Sequence, residues 1–357
     1  MDNPRIIAFY LPQYFPTPEN DKWWGKGFTE WTNVGRAKPL FKGHYQPKVP
    51  SELGYYDLRL REVREQQAQL AKEAGIEGFC YWHYWFNGQR LLDRVFNEVV
   101  ESGSPNFPFC LCWANHSWYK KTWDPNQPNI MLMEQTYPGI EDYTNHFNSL
   151  LSAFRDKRYI KVDGKPVFGL YKAVDLPDID LFVDTWNNLA KQNGFSGMYF
   201  FGFTYEESQQ KTIMNSKLDS VVFDYMYSAL RSIEKNKLFK VRRKIREFFG
   251  LPNYILYTRY TDYVNKLFFA DKRLHPCVIP NFDHSPRSGA KNIIIHDAKP
   301  KLFGEMCANV IGKVRKRKGE DNFLFIKSWN EWGEGNYMEP DLKYGRGYID
   351  ELRQATK

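Results

Sequence analysis

The feature that most restricts the fold is a series of eight short apolar runs separated by stretches of helical period. They are Arg5 to Tyr10, Ile76 to Trp82, Pro108 to Ala114, Pro166 to Tyr171, Gly197 to Phe203, Ser220 to Phe223, His275 to Pro280 and Phe323 to Ser328. Each run is nearly continuous in apolar character rather than alternating, as expected of a strand covered on both faces in a parallel sheet. The intervening periodicity predicts helices over Asp57 to Ala74, Gln89 to Glu101, Ile140 to Phe154, Asp178 to Gln192, Glu206 to Asn215 and Lys299 to Lys318. Eight strands alternating with helices over 357 residues predict an α/β fold, a (β/α)8 TIM barrel in one domain spanning residues 1–357. The alternative is a doubly wound open sheet. That fold expects a glycine-rich turn after an early strand, and no G-x-G-x-x-G occurs. Two stretches lie outside the repeat: a long Trp-rich first loop, Phe15 to Leu53, and a basic helical insertion over residues 231–266, after the sixth strand. A loop as long as the first is functional or disordered, and its Trp and Gly clusters argue against disorder.

In such a barrel the active site lies at the C-terminal ends of the strands. Polar and aromatic residues gather there: Tyr14 after the first run, His83, Tyr84 and Trp85 after the second, and Asn115, His116 and Trp118 after the third. Lys172 follows the fourth run, Tyr205 and Glu206 the fifth, Asp224 and Tyr225 the sixth, and Asn281, Asp283 and His284 the seventh. The eighth run leads into Trp329-Asn330-Glu331-Trp332-Gly333-Glu334-Gly335, with Tyr337 just beyond. An E-x-x-E pair most often marks a solvated helix face. Here it follows a strand and sits among tryptophans and glycines, which suits acid/base work with one carboxyl charged and the other kept protonated. Paired carboxylates beside aromatic surface are also how enzymes cleave glycosidic bonds.

Aromatic residues make up 17% of the chain, with 11 Trp and 23 Tyr. Sugar-binding clefts use such faces because one side of a pyranose ring is apolar and its rim polar. Trp23, Trp24, Trp31, Trp85 and Trp118 are candidate sugar platforms, and Glu30 is read as orienting the first loop. The net charge of +8 is concentrated late. Arg231 to Arg246 carries Lys235, Lys237, Lys240, Arg242, Arg243, Lys244 and Arg246 against Glu234 alone. This predicts either a solvated helix face, or contact with anionic lipid headgroups or the pyrophosphate of a lipid-linked glycan. No stretch matches a nucleic-acid module. The five cysteines, Cys80, Cys110, Cys112, Cys277 and Cys307, read as reduced buried thiols rather than a disulfide framework or metal site. The N-terminus does not read as a signal peptide, so the expected location is cytoplasmic, with peripheral contact at the inner membrane.

Six stretches carry a resemblance: WWGKGFTEWTNV, GHYQP, YWHYWFNG, WAN, PNFDHSPR and WNEWGEGNYMEPD. Together they resemble the WbsX-type proteins of bacterial polysaccharide biosynthesis clusters, including those of lipopolysaccharide and O-antigen. That group is similar to glycoside hydrolase family 99, the endo-α-1,2-mannosidases and mannanases. The resemblance implies a (β/α)8 barrel acting with retention on an oligo- or polysaccharide, without a metal or organic cofactor. It implies that Glu331 removes the proton of a sugar 2-hydroxyl, whose oxygen attacks the anomeric carbon to give a 1,2-anhydro sugar. Glu334 would protonate the leaving oxygen and then activate water or an acceptor hydroxyl. The substrate contacts expected around this pair are Tyr14, Trp24, His83, Trp85, Asn115, His116, Trp118, Asp283, Asn330 and Tyr337. Arg287 is expected to pair with Asp283 or a neighbouring carboxylate. His116 stands where related proteins carry an acidic residue.

Two other functions compete with a retaining glycosidase or transglycosylase. A glycosyltransferase using a nucleotide sugar is one, though the sequence has no nucleotide-binding glycine loop and no clear D-x-D after a strand. A non-catalytic glycan-binding barrel is the other, and it has no need of the Glu331–Glu334 pair.

Overall fold

The computed structural model describes residues 3–120 and 128–357. Eight parallel strands form the barrel wall: β1 (Arg5–Tyr10), β2 (Gly78–Phe86), β3 (Phe109–Trp113), β4 (Lys165–Leu170), β5 (Tyr199–Thr204), β6 (Ser220–Asp224), β7 (Leu274–Val278) and β8 (Phe323–Ile326). Each pairs with its neighbours in chain order, and β1 pairs with both β2 and β8 (Tyr10 opposite Tyr81, Ala8 opposite Ile326), so the sheet closes. The outer ring comprises α1 (Arg61–Glu73), α2 (Arg94–Ser102), α3 (Ile140–Arg155), α4 (Ile179–Gln192) and α5 (Glu207–Met214). It continues through α6 (Met226–Glu234), α7 (Lys237–Phe248), α8 (Tyr257–Asn265), α9 (Pro300–Val314) and α10 (Gly347–Ala355). The (β/α)8 barrel expected from the eight apolar runs is therefore the observed fold.

The barrel interior is filled by aromatic side chains. Phe9 of β1 stacks on Trp82 of β2 at 4.7 Å between ring centroids and meets Phe203 of β5 and Phe325 of β8 at 5.5 Å each. Such packing across the interior needs small residues opposite the large ones. Gly169 of β4 is one: a Cβ there would collide with the Phe201 ring and lie 2.8 Å from Cys112 Sγ. All five cysteines are buried and unbridged.

Two segments depart from expectation. The helix predicted from Gln89 to Glu101 begins instead with a strand, Gln89–Leu91, that folds back on β2, and α2 starts only at Arg94. The cause is Asn87-Gly88, both at positive φ (43° and 85°), the dipeptide that favours a tight hairpin turn. The first loop contains two short helices, Pro18–Trp24 and Glu30–Arg36, the second opened by Thr29, whose hydroxyl accepts from Trp31 N–H at 3.3 Å. Among the described residues, no helix is long and apolar enough to cross a membrane.

Candidate active site

Beyond β8 the chain makes a small hairpin, Asn330–Glu331 paired with Asn336–Tyr337, around a helical turn at Trp332–Glu334. Glu331 and Glu334 thus stand at the two ends of one tight turn. The turn is anchored from below. Asn330 exchanges two hydrogen bonds with the backbone of Leu11, at 2.8 and 3.1 Å. Tyr14 donates to Asn330 O at 2.5 Å and accepts from Trp332 N–H at 2.9 Å. Tyr337 stacks on Trp332 at 3.8 Å and donates to Asp341 at 2.5 Å. All three side chains are buried rather than facing solvent: Tyr14 and Asn330 tie the hairpin to the segment after β1, and Tyr337 packs within the C-terminal segment. Glu339 completes the foundation, accepting from Trp332 Nε1 and Gln67 Nε2 at 2.6 Å and from Tyr56 at 2.9 Å. Burial nonetheless raises its pKa to about 7.

The two glutamates share one guanidinium. Arg287 Nη1 lies 2.5 Å from Glu334 Oε1 and 3.6 Å from Glu331 Oε1, while its Nε contacts Glu30 at 3.1 Å. The two carboxylate oxygens therefore lie within about 6 Å of one another, inside the separation that leaves room for an inverting water. Gly333 permits this arrangement: a Cβ would collide with Glu30 Oε2 and lie 2.9 Å from Arg287 Nε. Gly335 adopts φ +52°, and its carbonyl accepts from buried Lys48 at 2.9 Å. Burial first, and then the charge of Glu334, push the Glu331 carboxyl up to about 8, while Arg287 and Lys327 pull against them. The pair thus keeps a proton at neutral pH and titrates as one unit.

An aromatic wall faces the pair. Tyr171 lies 5.2 Å from Trp82 and stacks on Phe203 at 5.3 Å, and Tyr84 meets Trp118 at 5.0 Å. Burial raises the phenol pKa of both tyrosines, and the charge of the glutamates adds to it. Lys327, at the end of β8, pairs with Asp224 of β6 at 2.8 Å. His116 sits 5.4 Å from Tyr171. Burial first, and then Lys172, lower its imidazole to about 4, leaving it neutral in this part of the mouth.

Several predicted contacts are placed elsewhere. His83 Nε2 lies 2.7 Å from His146 Nε2 of α3, and Trp85 stacks flat on the same imidazole at 4.7 Å while donating to Asp142 at 3.0 Å. Both face the helical layer rather than the mouth, a correction to their assignment as substrate contacts. β2 extends to Phe86, so Trp82 and Tyr84 point inward while His83 and Trp85 point outward. Asn115 is fully buried and ties the third loop to the fourth through the Lys172 backbone, at 2.9 and 2.8 Å. Asp283 accepts from Gln46 at 2.6 Å and lies 2.7 Å from His44 Nε2. Burial pushes its carboxyl up, but His44 and Lys48 outweigh this and hold it at about 2. It is therefore a buried loop anchor, and of the two partners expected for Arg287 the structure shows the neighbouring carboxylates, Glu30 and Glu334. Trp24 is exposed on the first loop against Phe28 (5.7 Å), and Trp118 is half-buried beside Trp23 (5.8 Å). Residues that sequence reasoning did not place at the mouth are Glu30 as a ligand of Arg287, Lys327 and Tyr171. Their only signal was position: Lys327 and Tyr171 end apolar runs, and Glu30 follows a helix-capping threonine.

Among solved structures, a glycoside hydrolase-like protein superposes with a TM-score of 0.62 at 15% identity, over 100% of this chain and 95% of that one. The GH99 endo-alpha-mannosidase from Bacteroides thetaiotaomicron superposes with a TM-score of 0.57 at 14% identity, over 100% and 96%. At these identities the likeness establishes the fold alone. The protein WxcX of Xanthomonas campestris pv. campestris is 32% identical over 98% of this chain, which spans about half (49%) of that relative's length. The family model described as Glycosyltransferase WbsX matches residues 6–352. The chain belongs to the WbsX family.

Proposed function

We propose that this chain is a carbohydrate-active enzyme of polysaccharide biosynthesis. It hydrolyses or transfers a mannose-like glycosidic bond with retention, on an oligo- or polysaccharide. The observation that carries the reading is the Glu331–Glu334 pair on one hairpin, sharing Arg287 and facing an aromatic wall at the C-terminal end of a closed barrel. The family's description and the fold it shares with an endo-alpha-mannosidase support sugar chemistry.

In the first step, ionised Glu331 takes the proton of the sugar 2-hydroxyl as that oxygen closes on the anomeric carbon. Glu334 gives its proton to the departing oxygen, so one C–O bond forms as another breaks. In the second step, water or an acceptor hydroxyl attacks the anomeric carbon and yields its proton to Glu334. The C1–O2 bond of the 1,2-anhydro sugar breaks, and O2 recovers its proton from Glu331. At neutral pH the pair holds one proton, which the first step uses from Glu334. The pair titrates as one unit.

The pH dependence follows. The active form carries one proton on the pair, so kcat/KM falls as that proton is lost, with a basic limb near pH 8. Arg287 lowers the pKa of Glu331, so Arg287→Met moves the limb to higher pH. A profile that stays flat from neutral pH through the alkaline range, measured as initial rates, contradicts the assignment.

A nucleotide-sugar glycosyltransferase is the second reading, favoured by the family's description. A panel of α-linked mannose oligosaccharides, followed by NMR for product anomer with and without nucleotide sugars, separates the two. Turnover with retention in the absence of nucleotide supports the dyad mechanism. Turnover that requires a nucleotide sugar overturns it.

A further inference from the structure

The insertion after β6 contains the least covered helix of the outer ring. Asn236 caps α7, its side chain accepting from Leu238 N–H at 2.9 Å, and none of the residues of α7 is buried. Its apolar residues are nevertheless not scattered. Leu238, Val241, Ile245 and Phe248, with Phe249 just past the helix end, fall within an arc of about 100° at helical spacing. Each is between 53% and 85% exposed. A single exposed leucine means little, but a row of five on one face does.

The charges are arranged around this row. Lys237, Lys240 and Lys244 lie along one side of it, exposed, and make no ion pair among the described residues. On the other side Arg242 and Arg246 stack over Tyr254 at 4.5 and 4.8 Å, which fixes how the helix is turned. Arg243, on the back of the helix, is neutralised by Glu234 and Glu247 at 2.7 and 3.3 Å. The unneutralised cations therefore border the apolar row, while the neutralised one faces away from it. A docking protein would answer such a row with its own apolar groove and acidic rim. A bilayer answers it with acyl chains beneath a plane of phosphates, which matches apolar side chains projecting between lysines.

We infer that α7 docks this protein on an anionic phospholipid surface. The apolar row enters the headgroup–acyl boundary and Lys237, Lys240 and Lys244 meet the phosphates. The helix also lies on the side of the barrel that carries the glutamate pair. It is reached from the C-terminal end of β6, and Arg246 sits 5.8 Å from the Phe41 ring. Phe41 in turn stacks at 4.6 Å on His44, the partner of Asp283 beyond β7. Docking through α7 therefore keeps the mouth near the lipid surface.

Flotation of the full chain with vesicles tests this without any assay of turnover. Vesicles containing phosphatidylglycerol should carry at least about tenfold more protein at low salt than vesicles of phosphatidylcholine alone, and the difference should shrink as salt is raised. Ile245→Ser with Phe248→Ser should reduce binding at least about tenfold, and so should Lys237→Gln with Lys240→Gln and Lys244→Gln. All five side chains are exposed, so circular dichroism should report an unchanged fold. Glu331→Gln should float as the wild type does, which keeps this result separate from the catalytic reading. Equal binding to neutral and anionic vesicles at low salt overturns the proposal. So does absence of binding together with a wild-type dimer that Ile245→Ser and Phe248→Ser disperse, which would assign the row to a second copy of the chain.

Discussion

Glu334→Gln and Glu331→Gln are each expected to lower the turnover of a natural glycan by about a thousandfold, the scale of a positioned general acid or base. Both amides preserve shape, and the amide oxygen introduced by Glu334→Gln would still meet Arg287, so a folding defect is not expected to explain the loss. The two losses should differ in kind. A substrate with an acidic aryl leaving group needs no proton donor, so it should restore the first step in Glu334→Gln. It should leave Glu331→Gln inactive, because the 2-hydroxyl still lacks its base. A variant pair with undiminished turnover rules out the dyad. Stability provides an independent readout. The folded pKa of Glu331 is raised above its unfolded value, so its contribution is full at acid pH and is lost as pH rises through about 8. Glu331→Gln removes that loss, so its Tm should gain on the wild type as pH is raised from 5 to 8.

The second large effect is structural. Lys327→Met should destabilise the protein by about 3–5 kcal/mol in chemical denaturation, because it leaves Asp224 charged and fully buried. Asp224 cannot escape to solvent: its other oxygen accepts from Met226 N–H at 2.9 Å at the start of α6. Lys327→Met combined with Asp224→Leu should recover most of the loss, since an apolar pair of similar volume replaces the ions without stranding either. A cost below about 1 kcal/mol for the single variant would place the pair in a far wetter environment than its burial implies. The same substitution also removes a cation that lowers the pKa of Glu331, so it should move the basic limb of the pH profile upward along with Arg287→Met.

These two sites differ in how far they could be read in advance. The eight strands were visible because barrel strands are covered on both faces, and continuous apolar runs follow directly from that. The same double burial hid which side chains face inward. Along Gly78–Phe86 every residue is buried, so no hydrophobic alternation separates Trp82 and Tyr84, which face the mouth, from His83 and Trp85, which face α3. The hairpin at Asn87-Gly88 was legible in its dipeptide but was overridden by the helical periodicity that follows it. Tyr14, Asn330 and Tyr337 lie where strand-end reasoning put them, yet their hydrogen bonds go to the hairpin backbone and to Asp341, because burial at the barrel end leaves those groups in need of partners.

The amino-acid order alone determined the number of strands, their parallel closure and the adjacency of Glu331 and Glu334, because each depends on local spacing or on a count of buried runs. Only the tertiary structure decided what surrounds the pair. Glu30 reaches Arg287 across 257 residues and Arg287 reaches Glu334 across 47. Which of two nearby carboxylates holds the proton is set by the difference between their distances to one guanidinium and by how deeply each is buried. Coulomb energy and desolvation depend on separations in space, and a chain that brings its first loop over its last strand sets those separations only once it is folded.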